Sequence, residues 1–255
     1  MNAFKKPHDQ VVLVTGAASG IGAAIVRRFL EKGFRVCATD SHEEKLNLLG
    51  QELSVKFEKS KLILQIMDVA SRDSVQEVHD TLYGNKEWGV VDILINNAGI
   101  FSQTPFLEMK EEEFLKILNV NLLGVFRVSQ IFGREMVQKK EGKMIHISSI
   151  AAQKGAANAG HYAASKAAVV ALSKTMALEF ASYNVQVNTI LPGYIETEMM
   201  KNYKEVLRKL ATWRIPGKKL GLPWEVAELV VSIASSEASY LTGSEIVIDG
   251  GYSLG

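Results

Sequence analysis

Cysteine is almost absent from these 255 residues: Cys37 stands alone, so no disulfide can form within the chain. It lies in the apolar run Phe34 to Ala38 and reads as a small buried hydrophobe, not a nucleophile. Proline is scarce, with five in all, and no tract rich in Pro, Gly or Ser marks a linker. Neither sign of charge dominates. Twenty-nine basic residues face 28 acidic ones, a formal net charge of +1 that leaves no electrostatic footprint for nucleic acid. No stretch reaches the roughly 18 uncharged apolar residues of a membrane span, so no membrane association is expected. Met1 to Gln10 carries Lys5, Lys6, His8 and Asp9 without an apolar stretch, unlike a signal peptide. The expected compartment is a reducing, cytoplasmic one.

What is present is an ordinary globular composition, 47% hydrophobic and 22% charged. Short β-branched runs alternate with longer helical patterns: Val11–Val14, Arg35–Thr39, Leu62–Ile66, Val91–Ile95, Lys143–Ile147, Val185–Ile190 and Glu245–Ile248. Between them apolar residues recur at helical spacing, as in Ile21, Ile25 and Phe29 or Val75, Val78 and Leu82. Several of the runs are apolar at nearly every position, as strands covered on both sides must be. The pattern predicts one α/β domain over residues 1–255: a doubly wound, seven-stranded parallel sheet with helices on both faces. Two segments break the alternation. Glu111 to Gln138 reads as one long helix, and Met199 to Leu222 as an insertion near a strand's carboxyl end, where ligands of such sheets bind. A substrate lid over residues 199–222 is the functional expectation; a surface helix without a role is the alternative.

Thr15-Gly16-Ala17-Ala18-Ser19-Gly20-Ile21-Gly22 follows the first strand and opens the first helix. Glycines there let a pyrophosphate approach the helix N-terminus, whose free N–H groups and dipole favour negative charge. The G-x-x-x-G-x-G spacing differs from the G-x-G-x-x-G fingerprint, and a tight turn uses glycine anyway. Asp40, at the end of the second strand, adds the missing context. A carboxylate there accepts bonds from the adenosine ribose hydroxyls and repels a 2′-phosphate, while Ser19 and Ser41 offer that phosphate no cation. The cofactor expected is NAD rather than NADP.

Tyr162 and Lys166 are four residues apart and share one face of a helix. A cation one turn away stabilises a phenolate, which tunes tyrosine for proton exchange with an alcohol or ketone oxygen. Ser149 ends the fifth strand and can donate to the same oxygen, whereas Ser148 points the other way. Asn121 occupies a helical stretch to which asparagine is poorly suited. Taken singly, each of these residues has a structural explanation.

Together they resemble the short-chain dehydrogenase/reductase family over essentially the whole chain, Val11 to Gly251. Thr15 to Gly22 is similar to the family's TGxxxGIG turn, and Asn96-Asn97-Ala98-Gly99 to its NNAG segment. Asp68-Val69 resembles the pair at the adenine, and Pro192-Gly193 with Ile195 and Thr197 the PGxIxT stretch at the nicotinamide carboxamide. Val247 to Gly251 resembles the closing strand and turn. Asn121, Ser149, Tyr162 and Lys166 fall on the catalytic tetrad.

The resemblance implies a Rossmann-fold oxidoreductase in which Tyr162 is general acid and base and Ser149 binds the reacting oxygen. It implies that Lys166 holds the nicotinamide ribose and lowers the tyrosine pKa, and that Asn121 holds a water of a proton relay. Gly16, Ser19, Gly20, Ile21, Gly22, Asp40, Asp68, Val69, Asn97, Ala98, Gly99, Tyr162, Lys166, Pro192, Gly193, Ile195 and Thr197 are the implied cofactor contacts. His146 reads as a satisfied core or edge histidine, and His161, next to Tyr162, as a candidate for the cleft lining. His8, His42 and His79 show no metal-ligand spacing; no metal is expected. The family's habit of pairing the helices near Glu111 and Gly160 implies a homotetramer, with Ala163, Ala164, Ala167, Ala168 and Ala171 permitting close approach. Core packing would explain the same alanines.

Of substrates, the nearest likeness is to 3-oxoacyl-[acyl-carrier-protein] reductases. Those enzymes commonly use NADPH, against which Asp40 speaks. They also hold the carrier protein through basic residues, and Lys139 and Lys140 sit near one such place while uncharged Tyr183 occupies the other. A small-alcohol, sugar-alcohol, 3-hydroxyacyl or steroid dehydrogenase fits as well. A dinucleotide-sensing binding protein without catalysis is the reading from another class.

Overall fold

A computed structural model describes residues 6–85, 87–201, 212–234 and 240–254. Its strands are β1 (Val11–Thr15), β2 (Arg35–Asp40), β3 (Leu62–Ile66), β4 (Ile93–Asn96), β5 (Gly142–Ile147), β6 (Val185–Pro192) and β7 (Glu245–Ile248). They form one sheet in the order β3-β2-β1-β4-β5-β6-β7, every pair parallel. Parallel neighbours need crossover helices, and right-handed crossovers from an edge-ward β1–β3 half and a β4–β7 half leave a switch point between β1 and β4. The expected doubly wound sheet is therefore borne out.

Burial explains why the strands read as unbroken apolar runs. α1 (Gly20–Glu31), α2 (Glu43–Ser54) and α9 (Pro223–Ala234) cover one face, where Val12, Val14, Ile93, Ile95, Ile145 and Ile147 meet Ile25, Phe29, Leu46 and Val230. α3 (Arg72–Gly84), α5 (Gly124–Lys139) and α7 (Gly160–Phe180) cover the other, where Leu13, Leu94 and Met144 meet Val75, Val128, Phe132 and Met176. Alternate residues of one strand thus serve different cores. Cys37 belongs to the second core, where burial raises its thiol pKa far above the ordinary range. It is inert, as expected.

The long helix differs from its sequence pattern in one detail. α4 (Glu111–Leu118) passes into α5 through a π-helical segment, Asn119–Leu123, that contains Asn121. The extra residue per turn shifts the apolar stripe and turns a polar side chain inward, a device common at functional sites. Glu111–Lys139 is also the one stretch among the described residues whose length and mean hydropathy would suffice to cross a membrane. Its inner face packs in the second core.

His146 lies on β5, fully buried, where its Nδ1 faces Asn96 Nδ2 at 3.1 Å and Asn96 also donates to Ser129. Burial pushes its pKa down to about 3, so the folded protein keeps it neutral. Between pH 6.5 and about 3 only the unfolded chain binds this proton, so stability falls as pH falls through that window. The slope from this group reaches about 1.4 kcal/mol per pH unit. Unfolding titrations of the wild type and His146→Gln from pH 7 to pH 5 should converge, the wild type losing stability faster. Parallel curves would contradict the burial argument.

Candidate active site

The carboxyl ends of β1, β2, β4, β5 and β6 open into a cleft of about 1320 Å³. One end lies over the β1–α1 turn. Gly16 and Gly20 take positive φ values there, +62° and +55°. A Cβ on Gly16 would stand 2.7 Å from the Ala98 backbone, and one on Gly22 would stand 2.0 Å from the Gly16 carbonyl oxygen. The turn is sewn to the β4 exit. Asn97 Nδ2 donates to the carbonyls of Thr15 and Gly16, and the Asn97 and Ala98 amides donate to Thr15 Oγ1. Ser19 precedes α1 without a side-chain cap, so α1 presents backbone N–H groups toward the cleft. The bare, glycine-lined helix start suits a pyrophosphate.

Asp40 closes this end. Its carboxylate accepts hydrogen bonds from the Ala18 amide at 3.0 Å and the His42 amide at 3.0 Å, which fixes it on the cleft wall. Asp68 and Val69 line the adjacent wall, and the Asp68 carboxylate accepts from the Ala70 amide. Lys45, the nearby cation, is paired with Glu198 at 2.9 Å.

At the other end Ser149, Tyr162 and Lys166 come together. Ser149 follows β5, its Oγ accepting from the Ala151 amide at 3.2 Å and lying beside the Tyr162 phenol, while Ser148 turns away and donates to the Lys166 carbonyl at 2.8 Å. The strand alternation anticipated that division. Lys166 is only 5% exposed; its Nζ donates to the Ile147 carbonyl at 2.9 Å and stands 5.7 Å from the Tyr162 ring centre. Phe101 packs edge-on against the same ring at 5.0 Å. Asn121 is fully buried behind the cleft, exchanging hydrogen bonds with the Ile100 backbone and donating to Ser165. It meets Lys166 at Gly99, where a Cβ would lie 3.3 Å from Asn121 Oδ1 and 3.4 Å from Lys166 Nζ.

The electrostatics of the polypeptide alone differ from the expected lowering of the phenol pKa. Burial raises the Tyr162 pKa and the Ser149 hydrogen bond only partly opposes it, while burial brings Lys166 down to about 8. Both groups favour their neutral forms in this site more than they do in water.

All but one of the implied cofactor contacts line the cleft, Gly16, Ser19, Gly20, Ile21, Pro192, Gly193, Ile195 and Thr197 included. Gly22 does not: it lies beneath the turn, where only hydrogen fits. The cleft also takes in Phe101, Lys154, Tyr194 and Tyr252, which motif reasoning did not single out, and Trp213 and Arg214 from the expected lid. Tyr194 and Tyr252 pack edge-on at 5.1 Å, and Lys154 stands over the Tyr252 ring. No spacing rule links Tyr252, near the C-terminus, to the rest. Of the expected lid, Met200 is buried at the cleft and residues 202–211 lie outside the described residues. Its far end is anchored: Gly221 donates to the Tyr194 carbonyl, and Gly217 to that of Gly250. Among the described residues no cluster of His, Cys, Asp and Glu is arranged for a metal ion.

Comparison with known proteins agrees with this architecture. Residues 16–253 match the family model described as enoyl-(acyl carrier protein) reductase. The chain is 40% identical over 242 residues to the 3-oxoacyl-[acyl-carrier-protein] reductase FabG of Thermotoga maritima, covering 95% of this chain and 97% of that one. A solved short chain dehydrogenase from Bacillus anthracis superposes with a TM-score of 0.87 at 31% identity, covering 96% of this chain and 97% of its own. The structure of a putative gluconate dehydrogenase from Agrobacterium tumefaciens gives 0.91 at 27% identity, covering 98% and 99%. The chain belongs to the short-chain dehydrogenase/reductase family and is an oxidoreductase of carbonyl and CH–OH groups.

Proposed function

We propose that this protein, acting as a single domain over residues 1–255, transfers a hydride between NAD(H) and a carbonyl or secondary alcohol. The substrate class is a 3-oxoacyl thioester. The observation that carries the reading is the meeting of Ser149, Tyr162 and Lys166 at one end of a cleft whose other end is closed by Asp40. When bound, the nicotinamide supplies the hydride chemistry at its C4. The chain's own residues do the rest. Ser149 and Tyr162 hydrogen-bond the substrate oxygen and so fix the carbonyl carbon. Tyr162 gives its phenolic proton to that oxygen in reduction and takes it back in oxidation. Lys166, held by the Ile147 carbonyl, places an ammonium beside the phenol and would hold the ribose hydroxyls of a bound nicotinamide nucleotide. That charge stabilises the phenolate against the upward push of burial. Asn121 fixes the Ile100 backbone beside Lys166 and would hold the water that links Lys166 to solvent in the proton relay.

Asp40 supports NAD over NADP. A 2′-phosphate would meet its anchored carboxylate, and like charges so placed cost several kcal/mol. Fluorescence titration should give a Kd for NADH at least tenfold below that for NADPH, and Asp40→Ser should bring the two together. Equal affinities in the wild type would contradict the assignment.

The 3-oxoacyl reading rests on the likeness to FabG. Against carrier-protein docking, Lys139 is engaged with Asp92 and Glu141, so the proposal places recognition on the acyl thioester itself. The gluconate dehydrogenase neighbour favours one second reading, a small polyol or hydroxy acid, with Lys154 and Arg214 at the cleft. Turnover with either class separates both from a dinucleotide-sensing protein. We further propose a homotetramer in a cytoplasmic setting. Leu115, Leu123 and Phe126 are 54%, 42% and 40% exposed along the stretch from α4 to α5, and Ala163, Ala164, Ala167, Ala168 and Ala171 lie outside the buried face of α7, which leaves both surfaces for packing.

A further inference from the structure

His161 immediately precedes Tyr162 and is fully buried, yet the chemistry above does not use it. Tyr162 lies in the first turn of α7, where backbone N–H groups have no partner within the helix. The residue before the helix, Ala159, supplies no side-chain cap. Instead the Tyr162 amide donates to His161 Nδ1 at 2.9 Å. With Nδ1 accepting, the ring proton must sit on Nε2. That nitrogen is 2.8 Å from Ser102 Oγ and 3.3 Å from Glu113 Oε1.

Glu113 gathers the rest. Ser102 Oγ donates to it at 2.7 Å, and Thr104 Oγ1 lies 2.8 and 2.9 Å from its two oxygens. These hydroxyls hold its carboxyl below the usual carboxylate range, Ser102 contributing most. Four pieces of chain are thereby joined: α4 through Glu113, the segment after β4 through Ser102 and Thr104, the β5–α7 loop through Thr104 N–H to the Asn158 carbonyl at 2.7 Å, and the first turn of α7. The same segment after β4 carries Phe101, which packs on the Tyr162 ring. The phenol is therefore held from its backbone side and from its ring side by one network.

We propose that Glu113, Ser102 and His161 form a positioning unit that sets the placement of the Tyr162 phenol, with Glu113 acting through His161. None of the three touches the reacting atoms. The unit rests on the reading of Tyr162 as proton donor and acceptor.

Kinetics of Glu113→Ala, Glu113→Gln, His161→Asn and Glu113→Ala/His161→Asn test it, with Tyr162→Phe as reference. Asparagine keeps an oxygen near the place of Nδ1 but nothing at Nε2, so it cuts the link to Glu113 while leaving the Tyr162 amide an acceptor. With acetoacetyl-coenzyme A and NADH, Glu113→Ala and His161→Asn should each lower kcat about tenfold, as a slight misplacement of a reacting group does. Substrate KM and NADH Kd should stay within twofold, and the solvent deuterium isotope effect on kcat should rise. Glu113→Gln, which keeps an acceptor for Ser102, should recover most of the loss. The double variant should be no slower than the slower single one, because both cut one link. Hydrogen exchange at the Tyr162 amide, which needs no substrate, should quicken at least fivefold in Glu113→Ala.

Single variants within twofold of wild type, losses that multiply in the double variant, or a Tyr162 amide with unchanged exchange would overturn the proposal. A rise in KM that accounts for the whole loss would do the same, since it would mark general loosening of the site. If these variants are silent while Tyr162→Phe is dead, the positioning unit alone fails. If Tyr162→Phe turns over normally, the reading of the site fails with it.

Discussion

Tyr162→Phe is expected to lower kcat by about 10³-fold, the middle of the range for a side chain that transfers a proton in the transition state. The loss should fall on chemistry and not on binding. The phenol ring and its edge-on contact with Phe101 survive the substitution, and Lys166 keeps its bond to the Ile147 carbonyl. The NADH Kd should therefore stay within threefold. The contrast is sharp because the phenolic oxygen has one role and the ring another. A rate within tenfold of wild type, measured with any substrate the protein turns over, would remove Tyr162 from the proton step. Water reaching the reacting oxygen would then have to do that work.

Gly22→Ala should be the most damaging single methyl in the molecule. Its Cβ would stand 2.0 Å from the Gly16 carbonyl oxygen and 2.7 Å from Asn97 Nδ2. The first is backbone and the second is the amide that ties the turn to β4, so neither can yield without moving the phosphate-facing loop. Overpacking of this kind costs about 1–3 kcal/mol, occasionally more, from a total stability of about 5–15 kcal/mol. Dinucleotide affinity should fall at least tenfold, because the α1 N-terminus and Asn97 shift together. Gly84→Ala is the control: nothing lies within 4 Å of its Cβ, and its stability should change by no more than about 0.5 kcal/mol. Similar melting temperatures and NADH affinities for the two variants would show that the turn is softer than its contacts imply.

The sheet was legible in the sequence because every strand from β1 to β6 is wrapped by helices and carries apolar residues for two cores. The glycine turn was legible as a pattern, but what each glycine does was not. Gly16 and Gly20 need their backbone conformations, whereas Gly22 needs the absence of a side chain, and spacing cannot tell these apart. Asn97 was expected among the cofactor contacts; it lines the cleft, and its side-chain amide also braces the turn. Helical periodicity hid the π segment at Asn121, since a single inserted residue leaves ordinary helical spacing in the runs on either side of it. The partnership of His161 with Glu113 spans 48 positions and links two elements that only the finished fold brings together. Nothing in either residue's neighbourhood announces it. The part of the expected lid that is described is tied by main-chain bonds at Gly217 and Gly221, which a polar, proline-bearing stretch does not reveal.

The most direct test of the whole account is the oxidation of NADH by the wild-type protein in the presence of acetoacetyl-coenzyme A, followed at 340 nm beside the same assay with NADPH. The account predicts turnover with NADH at a kcat/KM at least tenfold above that with NADPH. NADH that binds but is not consumed, or NADPH used equally well, would contradict it.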